Sequence, residues 1–351
     1  MDMNRKPNKL SLQLDVSDFI PAREDEKQSL VIMRDSVGFW RNGFSRLAKN
    51  KIAMVSLFVI MLTLIFSFIM PIFYPYSYEQ QIRGSENLAP MQYSQAELNR
   101  KEEGEKIFPH ILGTDALGRD TTVRLMMGSR ISLSVGIIAS FLVLLIGSTY
   151  GAVSGFVGGK LDIVMMQFVD IIYAIPDILI IIILMVTLKY PLQKLAATVP
   201  FFAWINVIGV GLICIFIVFS LLYWVGMARI VRSQILSLKE QEFVTAARAL
   251  GAKNSRIIGK HLLTNAIGTL IVTTTLQIPS AIFTESFLSF IGIGVSAPMP
   301  SLGSMASSAI GGLTSYPYRL FAPAVMISII ILSFNLFGDG LRDAFDPKLK
   351  N

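Results

Sequence analysis

Asp115, Arg119 and Asp120 crowd the stretch GTDALGRD (113–120), just after His110. Carboxylates beside a histidine can serve general acid–base chemistry. Here no nucleophile or second histidine accompanies them. His261 is far away in sequence, and the single cysteine, Cys214, sits inside an apolar run. One cysteine excludes an internal disulfide and a cysteine-based metal site. The simpler expectation is that Thr114 or Asp115 caps a helix. Three further carboxylates, Asp170, Asp177 and Glu285, lie within apolar stretches, where an ionisable group faces a protein interior or a solute pathway. Asp170 and Asp177 are seven apart and are expected on one helix face, with Pro176 kinking the helix between them. Two readings are open for these three. They form a polar lining that meets a solute's amine or main-chain donors, or they are structural, with backbone or hydroxyl partners such as Thr284 or Ser286.

The elements that must position these groups are membrane spans. The chain has 351 residues, of which 53% are hydrophobic and only 16% charged, against about 25% charged in soluble domains. Runs of about 20 apolar residues mark spans. Six are expected, at roughly 52–74, 131–157, 163–188, 205–227, 266–292 and 321–340. The stretch AATVPFFAW (196–204) either extends the fourth span or lies at the interface. The fold class expected is an all-α polytopic membrane protein. No secretory leader is expected, because the first apolar run follows about fifty polar residues. The net charge of +7 is assigned to loops on the inner side of a membrane rather than to nucleic-acid binding. Most Lys and Arg residues fall inside if both termini are cytoplasmic, and 229–260 is rich in them.

Around this core, 1–51 reads as an inner tail ending in an interfacial helix, SVGFWRNGFSRLAKNK (36–51). Residues 52–74 are the first span, 75–130 an external loop, 131–340 a core of five spans, and 341–351 a second inner tail. Gly147, Gly151, Gly155, Gly158 and Gly159 predict close helix packing, with a partner subunit as one candidate neighbour. SAPMPSLGSMASSAIGG (296–312) is a constriction, a re-entrant segment or an ordinary loop.

One inner loop has an unusual pattern, EFVTAARALGAKNSRIIGKHLL (242–263). Helix formers run to Leu250, Gly251 stands where a left-handed residue ends a helix, and Asn254 or Ser255 can cap a second helix. Ala246, Ala247 and Ala249 keep one surface shallow, while Phe243 and Leu250 can form a ridge. The pattern suits either a basic linker or a docking element for a cytosolic partner.

This stretch resembles the EAA loop of binding-protein-dependent ABC importer permeases. Thr245-Ala246-Ala247 is followed after three residues by Gly251, and Leu262-Leu263-Thr264 closes the motif. Thr245 replaces the common glutamate and Thr264 the common proline. HILGTDALGRD (110–120), GSRISLSVGIIAS (128–140), GAVSGFVGGKLD (151–162), VDIIYAIPDILI (169–180), ESFLSFIGIGV (285–295) and FNLFGDGLRDAFDPKLK (334–350) are similar to the oligopeptide/dipeptide branch and its C-type permease. The resemblance covers residue 36 onward, with 189–206 longer than usual. It implies six transmembrane helices of the type I importer fold in a bacterial cytoplasmic membrane. It also implies a second, B-type permease subunit, two ATPase subunits and an extracytoplasmic peptide-binding protein. Glu242, Ala246, Ala247, Arg248 and Gly251, within a coupling loop at 229–265, would carry coupling to the ATPase. ATP and Mg would reside on partner subunits, and no cofactor on this chain, which lacks G-x-x-x-x-G-K-[ST]. A nickel-chelate or other small-solute importer of the same family is an alternative. A stand-alone secondary transporter would show an inverted repeat, and none is visible.

Overall fold

The computed structural model describes residues 38–345. The expectations for the tails beyond them lie outside the described residues. The chain divides between Asn42 and Gly43, and the architecture below is that of the described residues from Gly43 onward. Twelve helical segments are labelled here in chain order. They are α1 (Phe39–Lys49, crossing the division), α2 (Lys51–Phe73), α3 (Gln95–Glu102), α4 (Thr121–Val157), α5 (Gly159–Ala174), α6 (Asp177–Thr198), α7 (Trp204–Ile208), α8 (Val210–Leu238), α9 (Glu242–Ala249), α10 (Asn254–Phe290), α11 (Leu302–Ala309) and α12 (Tyr318–Phe345). Among the described residues there is no strand, only an isolated bridge between Thr114 and Asp120. Six helices, α2, α4, α6, α8, α10 and α12, are long and apolar enough to cross a membrane.

α4 is the axis of the packing. Its 37 residues rise about 55 Å at 1.5 Å each, well beyond a hydrocarbon core of about 30 Å. One face of α4 supplies Ile131, Val135 and Ala139 to a cluster with Ile181, Met185, Ile215, Phe219 and Leu288 from α6, α8 and α10. Another supplies Leu125 and Leu133 to a cluster with Ile60, Ile282, Leu302, Ile330 and Phe334. In α2 the helix widens to a π turn at Ile65–Ile69. Pro71 follows, and its ring and missing N–H are incompatible with a regular turn there.

Three expectations about the elements need correction. The second helix begins at Thr121, ten residues before the apolar run. Asp120, not Thr114 or Asp115, is its N-cap, accepting from the Val123 amide at 2.9 Å. Arg124 and Arg130 hide this turn from a hydropathy reading. The third apolar run is two helices, not one kinked helix. Ile175 adopts an extended conformation (ψ 133°) before Pro176, the conformation favoured for a residue preceding proline. Asp170 and Asp177 therefore lie on different helices and share no face. α6 then continues through Lys189, Pro191 and Lys194 to Thr198, and 200–208 forms a short 3-10 turn and α7. Polar residues in its second half ended the sequence-based span too early.

Candidate functional site

The region around α9 is built from a short helix standing on two long ones. Val244 and Ala247 are buried against Phe156 of α4, Val231 and Ile235 of α8, and Ile257 and Leu262 of α10. This inward stripe at i and i+3 is what a helix of eight residues needs to stay formed, since an isolated one of that length would not. The helix ends as Gly251 predicts. Gly251 has φ +77°, its N–H donates to the Arg248 carbonyl (2.9 Å), and the Ala252 N–H donates to the Ala247 carbonyl (3.0 Å). These two bonds are a Schellman ending. Glu242 lies in the first turn and Arg248 in the last, both favourable to the helix dipole. The Arg248 guanidinium sits 5.4 Å from the centre of the Phe156 ring.

The outward face of α9 is Glu242, Phe243, Thr245, Ala246, Arg248 and Ala249, and Leu250 beyond its end is 89% exposed. Of the five residues singled out for coupling, Ala247 is buried and the other four are exposed. The next helix opens at Asn254, but neither Asn254 nor Ser255 caps it: Lys253 holds the cap position without a side-chain bond. Its first turns widen into a π stretch at Ile257–Leu262. Thr264 donates to the Gly259 carbonyl at 3.3 Å, and the helix passes unbroken through the place where proline is common.

α8, which delivers the chain to α9, is clamped to α4 and α5. A methyl group at Gly151 would collide with the Ala228 carbonyl, and one at Gly147 with Met227. Gly147, Gly151 and Gly155 thus pack within this chain, against α8, whereas Gly158 and Gly159 form the positive-φ corner into α5, where an added methyl at Gly159 meets nothing within 4 Å. Two ion pairs that sequence reasoning missed lie beside the stripe. Asp162 takes a bidentate pair of bonds from Arg232, Nε and Nη2 each at 2.6 Å, and a further bond from the Ser154 hydroxyl. The Arg232 guanidinium and that hydroxyl hold the Asp162 carboxyl below the usual carboxylate range. Asp170 meets Arg229 at 2.6 Å, whose guanidinium also lies 4.1 Å from the Tyr173 ring centre. Lys239 donates to the Gly155 carbonyl at 3.0 Å. Carboxylates and arginines at helical spacing in GGKLD…VD and ARIVR carried the signal, but their pairing requires the antiparallel contact.

The three carboxylates in apolar stretches have three different settings. Asp170 is half of the ion pair just described. Asp177 opens α6, accepts from the Ile178 amide at 2.8 Å, and lines a cavity of about 490 Å³ with Tyr173, Pro176 and Tyr223 at the break between α5 and α6. Glu285 is fully buried between α4 and α10 and accepts from Ser132 and Ser289 at 2.7 Å each, with Ser286 at 3.4 Å. Thr284, a candidate partner, bonds Tyr223 instead. The Glu285 setting is that of a satisfied buried acid. The structure does not bring these three together.

The 74–120 segment contains a buried cluster that sequence reading did not assemble. His110 is completely buried, with Nδ1 2.7 Å from Asp120 and Nε2 3.0 Å from Glu97. Both ring nitrogens face carboxylates, an arrangement that favours the doubly protonated imidazolium. Burial alone would lower the imidazole's pKa, but the bonds to Asp120 and Glu97 outweigh it and raise it. Burial likewise opposes the ionised Glu97, yet the Ser94 amide and His110 bring its pKa below the ordinary value. Tyr76 stacks on the imidazole at 4.6 Å, and burial pushes its phenol up to about 12. The missed signal was the capping box of α3, Ser94 with Glu97, which places Glu97.

Comparison with known proteins fits this arrangement. Residues 144–351 match the family described as binding-protein-dependent transport system inner membrane component. Residues 38–90 match the N-terminal TM domain of oligopeptide transport permease C. The chain is 42% identical to the oligopeptide transport system permease protein OppC of Bacillus subtilis, covering 95% of this chain and 97% of that one. It is 39% identical to the dipeptide transport system permease protein DppC of the same organism, over 95% and 93%. It is 35% identical to OppC of Escherichia coli K12, over 88% and 91%. The chain, with its six membrane-length helices, belongs to the family of binding-protein-dependent transport system inner membrane components.

Proposed function

We propose that this chain is one of two related membrane subunits of an ATP-driven importer of oligopeptides or dipeptides. It forms half of the pathway and takes its drive through α9 from a partner ATPase. A binding protein delivers the peptide, and ATP and Mg are held by two ATPase subunits, so this chain is not itself an enzyme. Both chain ends and α9 lie on the cytoplasmic side, where the basic 229–260 stretch belongs. The observation that carries the reading is the two-faced setting of α9: buried through Val244 and Ala247, yet presenting Leu250 and Phe243 to solvent. An apolar ridge beside Arg248 and ahead of a rigid glycine corner is suited to a groove on another protein. The relatives' names favour peptides as the solute. The cavity at the α5–α6 break, with the Asp177 carboxylate, offers a polar lining for a peptide ammonium.

Leu250→Asp tests this reading. The side chain supports nothing in the fold, so the variant should insert and fold as the parent does. Co-purification of the ATPase subunits should fall by tenfold or more, the loss of roughly 1.4 kcal/mol or more of binding. Undiminished co-purification would remove α9 as the docking element.

A further inference from the structure

Where α4 begins, α11 ends and α12 begins, a small cavity of about 10 Å³ is lined by Asp115, Thr121, Arg124, Ser308 and Arg319, among others. Arg124 and Arg319 are 6% and 7% exposed, so their charges are largely withdrawn from water. Asp115 is the single carboxylate lining the cavity, and its bonds are already committed. Oδ1 accepts from the Leu117 and Arg119 amides, and Oδ2 accepts from Arg119 Nε at 2.7 Å. Arg124 Nε reaches that oxygen only at 3.4 Å. The neighbouring Asp120 is engaged by His110 and the Val123 amide. Arg119 and Arg124 therefore share one carboxylate, and Arg319, bonded to Asn87 and the Ser308 carbonyl, has no ion pair among the described residues. Buried positive charge in excess is costly unless an anion accompanies it.

A second observation points to the same place. The Thr121 hydroxyl is buried and has no hydrogen-bond partner, in a residue that is 4% exposed. Arg124 donates through Nη1 to the Tyr78 carbonyl at 3.3 Å. Arg319 spends Nη1 on Asn87 and makes only a long 3.4 Å bond from Nη2 to the Ser308 carbonyl. Thr121 is also the first residue of a long helix, where partial positive charge gathers. A water would satisfy the hydroxyl and leave the charge uncompensated. An anion satisfies both, and the room admits one small species.

We propose that this cavity is a binding site for one small monovalent anion of chloride size, held by the Thr121 hydroxyl and the Arg124 and Arg319 guanidiniums. The anion ties the 74–120 segment to the helices beneath it. Arg124 and Arg319 already reach Tyr78 and Asn87 of that segment, and Tyr318 donates to the Leu88 carbonyl at 2.8 Å. The inference stands apart from the transport reading, because the site holds or lacks its ion whatever the chain carries.

The test is thermal unfolding of the full chain in lipid nanodiscs, followed by tryptophan fluorescence in sodium chloride, sodium bromide or sodium gluconate at equal ionic strength. Chloride and bromide should raise the unfolding temperature with a saturable dose response, and gluconate, too large for the cavity, should not. Thr121→Val, which keeps the side-chain shape, should raise the half-saturating chloride concentration on the order of tenfold. Arg319→Gln should abolish the response. If Arg319→Gln does not fold, Thr121→Val decides. Equal unfolding temperatures in the three salts, or a chloride response unchanged in Thr121→Val, would overturn the proposal and leave a water or a general salt effect in its place.

Discussion

His110 shows how much one side chain can hold. Its two nitrogens bridge α3, through Glu97, to the first turn of α4, through Asp120, whose other oxygen caps that helix. The pH dependence follows from the directions of the shifts. The raised His110 pKa contributes stability that is fully present below the ordinary histidine value and is lost as pH rises through the higher folded value. The lowered Glu97 pKa contributes stability present above the ordinary glutamate value and lost as pH falls through the lower folded one. Thermal unfolding of the full chain should therefore show a decline on the alkaline side, above 6.5, that His110→Asn lacks. A decline of equal size in that variant would contradict the imidazolium assignment. The sequence exposed His110 and Asp120 as neighbours but attached them to no common role. The link runs through Glu97, and folding alone supplies it. Glu285 was legible as a group needing hydroxyl partners. Which hydroxyls, Ser132 and Ser289, depended on the α4–α10 contact.

Among the elements, hydropathy located the spans but not their ends. Charged or polar residues at the start of α4 and in the second half of α6 lie in helix that composition reads as loop. Pro176 was visible, yet whether a proline kinks or breaks a helix depends on what satisfies the freed backbone. Here a break leaves room for the cavity beside Asp177. The glycines of α4 were legible as a packing stripe, but the stripe carries no name for its neighbour. That neighbour is α8, and the approach is close enough to be tested. Gly151→Ala places a methyl against the Ala228 carbonyl and should destabilise the protein by about 1–3 kcal/mol. Gly226→Ala, where an added methyl meets nothing within 4 Å, should be neutral or slightly stabilising, as alanine favours helix. Chemical denaturation in mild detergent measures both. Equal effects would show that the α4–α8 contact is looser than described.

For the whole molecule, the packing explains how a movement of α9 can reach the membrane. α9 rests on α4, α8 and α10 through Val244 and Ala247. α8 is in turn fixed to α4 by glycine contacts and to α5 by the Asp162–Arg232 and Asp170–Arg229 pairs. A displacement of α9 should therefore move these helices together instead of being absorbed at a hinge. Class and family were legible in the chain because they rest on local patterns: apolar runs, charge asymmetry and the spacing of alanines before Gly251. The clamp was not, because each of its pairs joins residues far apart in sequence. The central claim is that α9 couples this chain to an ATPase through a shape that Gly251 maintains. An added Cβ at Gly251 meets nothing within 4 Å, so the position is constrained by its φ of +77° and by its N–H bond to the Arg248 carbonyl, both of which proline removes. The most direct measurement is ATP-dependent peptide uptake into proteoliposomes holding the complete importer, with this chain as wild type or Gly251→Pro. The variant should insert normally and lose uptake to background. Uptake at the wild-type rate would contradict the claim.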